Sequence, residues 1–366
     1  MEPLTRAFRE MLNAPEVKAG GLRIEGLGSK TFLGGNLSGT VFSTRSAQGI
    51  LTYEPAELYV TVRSGTGVQE LLDVLGEKGQ TLAFDPLLLP MGSTVGGMLA
   101  SGLQGPLRIS AGALRDYVLG ASLLDGRGQL LRFGGTVIKN VAGYDVAKML
   151  AGSWGTLGLV TEVSLKTMPQ HEVSRTLSRP IHQQPAIETV NRLAGRPLPI
   201  GASAYLGGEE GELRLLLSGS AVSVDAAERQ LVANDGFEVM ARDIHDLFWA
   251  ELRSLQHPFL KEPSGPSKTL WMLTVPSTLM LPLEGPVLIE WHGGRRWWWG
   301  DELPEAAKGL IRESRGQVRC VRCCDAQQHY WSHEDRSHTL NNLENQIRKV
   351  FDPEGRLINR GARYAG

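Results

Sequence analysis

Apolar and polar positions follow two different periods in the first half of the chain. Residues 57–63 alternate with a period of two and are rich in β-branched and aromatic side chains, which predicts a strand. In residues 68–79 the apolar side chains recur at helical spacing, which predicts an amphipathic helix. We predict a hairpin from 117–124 and 129–133 around the turn sequence DGRG, and a strand at 157–166. This half therefore favours an α+β fold.

The second half repeats this alternation after an interruption. Residues 170–197 are polar and contain proline, which predicts a domain junction. Beyond it we predict strands at 201–206, 212–217, 236–241, 269–275, 286–291 and 317–322, and helices at 222–233, 243–256 and 302–314. The second of these helices carries an apolar stripe that we expect to face the core: Ile244, Leu247, Phe248, Leu252 and Leu255.

Composition narrows the class of protein. The 366 residues are 42% hydrophobic and 21% charged, enough for sizeable cores in one large or two smaller domains. A formal net charge of −1 argues against nucleic acid or an acidic membrane as the main partner. An odd number of clustered cysteines favours a reducing compartment. No apolar run is long enough to span a membrane, and the amphipathic N-terminal helix, which contains acidic residues, does not resemble a signal peptide.

The glycine content is the one unusual feature of the composition. Of the 44 glycines, 27 lie in residues 20–160, and 14 of these belong to the loops 25–35 and 90–102 and to the stretch 134–160. Successive glycine amides can form a nest for phosphate oxygens, and a helix N-terminus favours the same anion. Nearby hydroxyls are available from Ser29, Ser93 and Thr94. Together the segments indicate a diphosphate that carries a large flat group.

Two common nucleotide-binding motifs are absent. The sequence SGTG, between the predicted strand and helix, has Gly65 and Gly67 but no third glycine, so it lacks the dinucleotide fingerprint of a Rossmann unit. We interpret it as a tight strand-to-helix turn. The chain also has no G-x-x-x-x-G-K-[ST] loop.

Several motifs resemble a known family. GLGSKTFLG, MGSTVGGMLASGLQGPLR, LRFGGTVIKNVAGYDVAKMLAGSWGTLGLV and the tail VFDPEGRLINRGARY are similar to the PCMH-type FAD-binding domain of the vanillyl-alcohol oxidase family, and within it to the glycolate oxidase E subunits. The resemblance implies an α+β fold, with a FAD-binding domain of two α+β subdomains and a smaller α+β cap. The domains would be 1–169 for FAD binding, 170–325 for the cap, and 326–366 for a C-terminal segment that returns to the FAD-binding domain.

The resemblance also implies where FAD binds. The first loop, at the pyrophosphate, would consist of Gly26, Gly28, Ser29 and Lys30. The second loop, near pyrophosphate and flavin ring, would consist of Gly92, Ser93, Thr94, Gly96 and Gly97. Beside the cofactor pocket would lie Gly143, Tyr144 and Asp145. The ribose and adenine end would be lined by Gly152, Gly155, Gly158 and Val160.

The implied function is that of a subunit. A FAD-binding subunit of glycolate oxidase would support oxidation of glycolate, a small 2-hydroxy acid, to glyoxylate together with a larger flavin subunit and an iron–sulfur subunit. No His or Cys precedes His171, so we expect noncovalent FAD. The location would be cytoplasmic, or peripheral to the inner face of the membrane through the complex. A self-sufficient FAD-dependent hydroxy-acid oxidase or dehydrogenase is the alternative, and a zinc-stabilised interaction module ranks last.

The predicted cap lacks the expected catalytic residues. Relatives that oxidise 2-hydroxy acids carry His-x-Gly-Asp-Gly-Asn-x-His, whereas WHGGRRWWWGDE retains only His292. We expect His292 to be a hydrogen-bonded strand-end histidine rather than a catalytic base, and we predict no catalytic residue. Arg295 and Arg296 would hold a substrate carboxylate or be surface charges. Two locations are left open for Trp297, Trp298 and Trp299: a surface that binds a partner protein, and the core of the cap.

The last third also contains a cluster of sulfur and imidazole side chains. Its members are Cys320, Cys323, Cys324, His329, His333 and His338. The gap between the cysteine pair and the histidines is shorter than a zinc finger needs, and one C-x-x-C does not supply an iron–sulfur cluster. We therefore predict no metal site. In the tail, Asn359-Arg360-Gly361 stands where relatives have Asn-Pro-Gly, which loosens a turn.

Overall fold

The computed structural model describes residues 2–33, 38–136, 145–261, 269–322 and 338–358. The chain divides into two compact units. The first unit comprises Met1–Gln104, Ala113–Gln170 and His333–Gly366, and the second comprises Gly105–Gly112 and His171–Ser332. The hydropathy pattern does not indicate that residues 105–112 belong to the second unit.

Helices and strands alternate along most of the described chain. The α-helices are α1 Glu2–Asn13, α2 Pro15–Gly20, α3 Val68–Gly76, α4 Val95–Ser101, α5 Arg108–Ala111, α6 Val146–Met149, α7 Gln183–Ala194, α8 Ala221–Asp235, α9 Arg242–Ser254, α10 Pro258–Lys261, α11 Glu305–Glu313 and α12 His338–Phe351. The strands are β1 Leu22–Glu25, β2 Thr40–Ser43, β3 Ile50–Glu54, β4 Tyr59–Arg63, β5 Gln80–Thr81, β6 Val118–Leu124, β7 Leu130–Gly134, β8 Leu159–Lys166, β9 Met168–Pro169, β10 Val173–His182, β11 Ile200–Gly207, β12 Glu210–Gly219, β13 Glu238–Val239, β14 Leu270–Thr274, β15 Val287–Glu290, β16 Arg295–Trp299 and β17 Gln317–Arg322.

The first unit is built on an antiparallel sheet of five strands in the order β3-β4-β8-β6-β7. The alternating apolar residues of β4, Val60 and Val62, are fully buried in the same core as Leu71 and Leu75 of α3. The predicted hairpin is present, since β6 and β7 pair in antiparallel register. A parallel pair, β1-β2, and a short antiparallel pair, β5-β9, complete the strands of this unit.

The N-terminal helix belongs to a small core of its own. Leu4, Phe8 and Leu12 of α1 are spaced four residues apart, so they share one helix face, and all three are buried. Phe8 meets Phe42 of β2 edge to face, with ring centroids 5.2 Å apart. This contact holds the N-terminal helix against the β1-β2 pair, from which one of the glycine-rich loops starts.

The second unit contains an antiparallel sheet of eight strands in the order β13-β10-β12-β11-β15-β16-β14-β17. Its core includes Leu215 and Leu217 of β12, packed with Ile187 and Val190 of α7 and with Leu231 of α8. Strand β16 is a central member of this sheet, although it is absent from the six strands predicted after residue 200.

The boundary between the two units falls between Gln170 and His171, at the start of the predicted junction 170–197, but most of that segment is regular structure rather than a linker. Residues 173–182 form β10, whose pairing with β12 extends over ten residue pairs, and residues 183–194 form α7. One of the three prolines in this segment, Pro185, lies in the first turn of α7, where the backbone N–H groups have no partner within the helix, so proline is tolerated there.

The predicted stripe on α9 is only partly correct. Phe248, Leu252 and Leu255 are buried, but Ile244 is 48% exposed and Leu247 is 60% exposed. His245 occupies the inward position of the first turn instead, because its Nδ1 lies 2.5 Å from Thr176 Oγ1 of β10. A histidine with a hydrogen-bond partner in the sheet therefore displaces an isoleucine from the core.

Candidate cofactor site

A cavity within the first unit brings the two glycine-rich loops together. Its walls are the end of β1 and the loop after it, the turn after β4, the helix α4, and the segment that leads into β8. The lining residues are Ile24, Glu25, Gly26, Leu27, Gly28, Ser29, Lys30, Thr31, Thr44, Ser64, Thr94, Gly96, Gly97, Ala100, Ser101, Ser153, Trp154, Gly155, Gly158 and Val160.

Helix α4 forms one wall of the cavity. Thr94 caps its start, since the side-chain oxygen accepts a hydrogen bond of 3.1 Å from the Gly97 amide. Gly102 ends the helix in the left-handed conformation, with φ 63°. The side that faces the cavity carries only small residues: Gly96, Gly97, Ala100 and Ser101. A ligand can therefore approach the helix backbone closely.

The first loop reaches the cap of α4 at Gly26. A Cβ atom at residue 26 would lie 2.1 Å from Thr94 Oγ1 and 2.9 Å from its methyl carbon. No side chain fits at that distance, so the closure of the 26–30 loop on α4 requires glycine. This contact joins the two loops that the sequence separates by more than sixty residues.

Lys30 is the buried cation of this cavity. Its side chain is 9% exposed, and its Nζ donates a hydrogen bond of 2.9 Å to Ser93 Oγ. No carboxylate among the described residues forms an ion pair with it, and burial lowers the pKa of Lys30 to about 8. An ammonium group that is removed from water without a counter-charge is costly unless an anion binds beside it.

Ser64 supplies a second polar group to the cavity, and this one has no hydrogen-bond partner. Its side chain is fully buried where it lines the cavity, and its Oγ has no hydrogen-bond partner. The backbone is well held, because Ser64 N donates to Thr161 O and Ser64 O accepts from Gly96 N. The SGTG turn is therefore tight, as predicted, and it also presents a hydroxyl to the cavity, which the sequence did not indicate.

These groups fit a diphosphate. Lys30 retains N–H donors beyond the one that Ser93 accepts, and the Ser64 hydroxyl is an unused donor in the same cavity. A phosphate oxygen is a strong acceptor with negative charge, so it satisfies both groups at once. The sequence-based expectation of a pyrophosphate at these loops agrees with the chemistry of the donors found there.

Trp154 adds an aromatic side chain to the lining. It lies in the segment before β8, in a left-handed conformation with φ 54°, and its amide donates to Ala100 O at 2.8 Å. The neighbouring Gly152 amide donates to Leu99 O, so the segment follows the C-terminal half of α4. A left-handed tryptophan is rare and costs free energy, which is typical of a functional site.

The structure brings together ten of the predicted cofactor residues in this lining. They are Gly26, Gly28, Ser29, Lys30, Thr94, Gly96, Gly97, Gly155, Gly158 and Val160. Four others do not line it: Gly92, Ser93, Asp145 and Gly152. Ser93 is nevertheless the hydrogen-bond acceptor of Lys30, whereas the Asp145 carboxylate is half-exposed and pairs with Lys148 at 2.8 Å. Gly143 and Tyr144 lie outside the described residues.

The polar residues singled out in the second unit are buried in its sheet. Arg295 and Arg296 of β16 are 5% and 0% exposed, so neither is a surface charge. The Arg295 guanidinium lies 3.3 Å from the centre of the Trp291 ring. Arg296 donates to the carbonyls of Gly293 and Leu279, and burial lowers its pKa to about 10. Neither arginine lines the cavity described above.

The three consecutive tryptophans are also part of the sheet. Trp297 and Trp298 are buried and Trp299 is half-buried. Each indole N–H donates within this unit, to Glu290 Oε2 at 2.5 Å, to Glu284 O at 2.8 Å and to Phe259 O at 2.5 Å, respectively. Of the two interpretations, the structure supports the core rather than a partner surface.

His292 is a hydrogen-bonded histidine at the end of β15, as expected. Its Nδ1 lies 2.8 Å from Ser203 Oγ, and its carbonyl accepts from Asn191 Nδ2. Burial lowers the pKa of His292 to about 4, so the imidazole is neutral near pH 7 and is a weak base.

The described residues contain no cluster of His, Cys, Asp or Glu arranged to hold a metal ion. Cys320 is buried in β17. The other cysteines of the predicted cluster, His329, His333 and the tail residues 359–361 lie outside the described part of the chain.

None of the helices described is long and apolar enough to cross a membrane.

Comparisons with known proteins identify several relatives. A family model for the FAD binding domain matches residues 11–134. Glycolate oxidase subunit GlcE of Escherichia coli is 34% identical over 362 residues, which is 99% of this chain and 97% of that protein. Glycolate oxidase subunit GlcD of Bacillus subtilis is 34% identical over 139 residues, 38% of this chain and 29% of its own length. D-lactate dehydrogenase of Anaerostipes hadrus is 31% identical over 157 residues, 43% and 32% of the two chains.

Solved structures support the fold. Alkyldihydroxyacetonephosphate synthase superposes with a TM-score of 0.65 in one crystal form and 0.66 in another, and in each case 97% of this chain is covered against 75% of that enzyme. The sequence identities are 13% and 14%, so the likeness concerns the fold alone. The predicted α+β fold with a PCMH-type FAD-binding domain is confirmed.

Proposed function

The chain belongs to the PCMH-type FAD-binding oxidoreductases, in the family of glycolate oxidase subunit GlcE, and from this premise we propose that it is the FAD-binding subunit of a glycolate oxidase complex. Its partners in the proposal are a larger flavin subunit and an iron–sulfur subunit. The complex would oxidise glycolate to glyoxylate in the cytoplasm or at the inner face of the membrane.

The observation that carries the proposal is the cavity of the first unit. An unpaired buried ammonium at Lys30, an unused hydroxyl at Ser64 and an indole at Trp154 face one space, and they match the diphosphate and the flat ring of a flavin dinucleotide. Lys30 and Ser64 would hold the diphosphate, and small residues of α4 would let it approach. When bound, FAD supplies electron-transfer chemistry, while the chain supplies binding and orientation.

The second unit supports a role as a subunit rather than as the complete oxidant. Oxidation of a hydroxy acid needs a base that accepts the hydroxyl proton. His292, the one histidine retained from the expected cap motif, is engaged with Ser203, and its pKa is lowered to about 4. The cap arginines contact Trp291 or backbone carbonyls. This arrangement is consistent with oxidation of the substrate by another subunit of the complex.

Affinity purification of the full chain from its native cell tests the proposal. We expect two further chains, a larger flavoprotein and an iron–sulfur protein, and glycolate-dependent reduction of an artificial electron acceptor by the assembly. A parallel purification with the same tag on an unrelated protein gives the background. The isolated chain, reconstituted with FAD, should not reduce the acceptor.

Two results would contradict the proposal in different ways. Turnover of glycolate or D-lactate by the isolated chain would favour the alternative, a self-sufficient hydroxy-acid oxidase or dehydrogenase. Absence of any associated flavoprotein and of glycolate-dependent activity in the purified material would remove the glycolate oxidase assignment.

A further inference from the structure

The amine of Lys30 lies in an unusual environment for a cation. The Nζ atom is buried against Ser93 Oγ, a neutral acceptor at 2.9 Å. It also lies 3.9 Å from the position that a Cβ on Gly97 would occupy, so it sits beside the backbone of α4. Neither contact provides negative charge. The ammonium form is therefore poorly solvated until a ligand enters the cavity.

The rest of the lining does not change this charge balance. Among the described residues of the lining, Glu25 is the only other one with an acidic or basic side chain. Its carboxylate is paired with Arg23, at 2.8 Å between Oε1 and Nε, so that pair is close to neutral. The loop after β1, the turn at Ser64, helix α4 and the segment before β8 contribute only neutral groups beyond these. In the part of the lining that the structure describes, one positive charge is therefore uncompensated, and it belongs to Lys30.

We propose that Lys30 holds the diphosphate of FAD as its counter-charge, and that cofactor binding is coupled to uptake of a proton at Lys30 Nζ. The inference rests on FAD occupying this cavity, as the proposed function requires. The proton comes from the solvent and bonds to the amine lone pair; no other bond forms or breaks. The diphosphate keeps its charge and gains an ammonium donor.

The sign of the pH dependence follows from the free protein. Burial lowers the pKa of Lys30 to about 8 before binding, and a bound diphosphate raises it again, because an adjacent anion favours the charged form. Below pH 8 the amine is already protonated and binding requires little uptake. Above pH 8 the amine must first gain a proton, so the affinity for FAD falls, by up to about tenfold per pH unit.

Isothermal titration of the full-length apoprotein with FAD measures the uptake directly. Titrations in two buffers with different ionisation enthalpies give the number of protons taken up per FAD. We expect about 0.8 proton at pH 8.5 and about 0.1 at pH 7, from a free pKa near 8 and the linkage relation. Saturable FAD binding without uptake at pH 8.5 would overturn the inference and leave FAD binding intact.

Two substitutions at Lys30 separate the effect of its positive charge on FAD binding from the effect of its titration. Lys30→Arg keeps a cation that does not titrate in this range, so binding should persist without uptake and without the fall in affinity above pH 8. Lys30→Met should lose both uptake and at least tenfold in affinity. Lys18→Met removes an exposed lysine of α2 and should behave like the wild type. Circular dichroism establishes that each variant is folded.

The outcomes distinguish this inference from the claim on which it rests. If the folded wild-type chain shows no saturable heat with FAD at any pH, FAD binding at this site is wrong. If Lys30→Met binds FAD as tightly as the wild type, Lys30 is not the counter-charge, whatever the protein's function.

Discussion

At the residue scale, the site depends on two buried polar groups: the Lys30 ammonium, which has no counter-charge, and the Ser64 hydroxyl, which has no hydrogen-bond partner. Glycine counts and hydroxyl positions in the sequence were enough to predict the two loops, and the family resemblance placed Lys30 among them. The sequence did not indicate Ser64 or Trp154, because their role depends on distant contacts. Ser64 becomes an unused donor only where β4, β8 and α4 meet.

Ser64→Ala should separate stability from cofactor binding. The Oγ atom has no protein partner and is buried, so its removal should leave the apoprotein equally stable or slightly more stable. If this hydroxyl donates to FAD, the dissociation constant should rise by about 2- to 10-fold, which corresponds to one hydrogen bond. Thermal unfolding of the apoprotein and FAD titration give the two values. Unchanged FAD affinity would exclude a contact between Ser64 and the cofactor.

At the element scale, a close approach of a loop and a helix shapes the cavity. The 26–30 loop reaches the capped start of α4 because Gly26 lacks a side chain. Local patterns predicted most strands and helices in their places, including β4, α3 and the β6-β7 hairpin. They failed at α7, where a first-turn proline concealed a helix, and on α9, where His245 replaced Ile244 in the interior because Thr176 offers it a hydrogen bond.

Gly26→Ala tests the closure of that loop. The new methyl group would lie 2.1 Å from Thr94 Oγ1, so the loop or the cap must move and carry Lys30 with it. We expect at least a tenfold loss of FAD affinity, measured by titration of the apoprotein. Gly20→Ala is the matched control, since nothing lies within 4 Å of a Cβ there. Equal effects of the two substitutions would show that the close contact at Gly26 is not important.

At the scale of the whole molecule, the two units differ in their chemistry. The first contains the cavity proposed for FAD, whose lining residues come from five separate segments. The second buries arginines, tryptophans and two histidines, His245 and His257, in and around one sheet, and His292 there is half-buried. The sequence revealed the unusual residues around 291–299 but not whether they are exposed or buried. A run of charged and aromatic residues is compatible both with an exposed surface and with a central strand such as β16.

The buried histidines predict that the second unit is sensitive to acid. Burial lowers the pKa of His257 and of His292 to about 4, and it also lowers the pKa of His245. Each is neutral in the folded protein and takes up a proton on unfolding below about pH 6.5, so stability present above that pH is lost as the pH falls towards 4. For His257 and for His292 the loss is up to about 1.4 kcal/mol per pH unit.

Tryptophan fluorescence can follow this unfolding. Six of the seven tryptophans in the described residues belong to the second unit, namely Trp249, Trp271, Trp291, Trp297, Trp298 and Trp299. The midpoint of thermal unfolding should fall between pH 6.5 and 4, and His257→Gln should reduce that fall. His171→Gln, at an exposed position, should leave the profile unchanged. A flat profile for the wild type would contradict the prediction.

The central claim is that the first unit binds FAD in the cavity that contains Lys30. The most direct measurement is the absorbance spectrum of the purified full chain after incubation with FAD and removal of the excess by gel filtration. The account predicts one FAD per chain for the wild type and a large loss of bound flavin for folded Lys30→Met. A folded wild-type chain that retains no flavin and shows no saturable binding would contradict it.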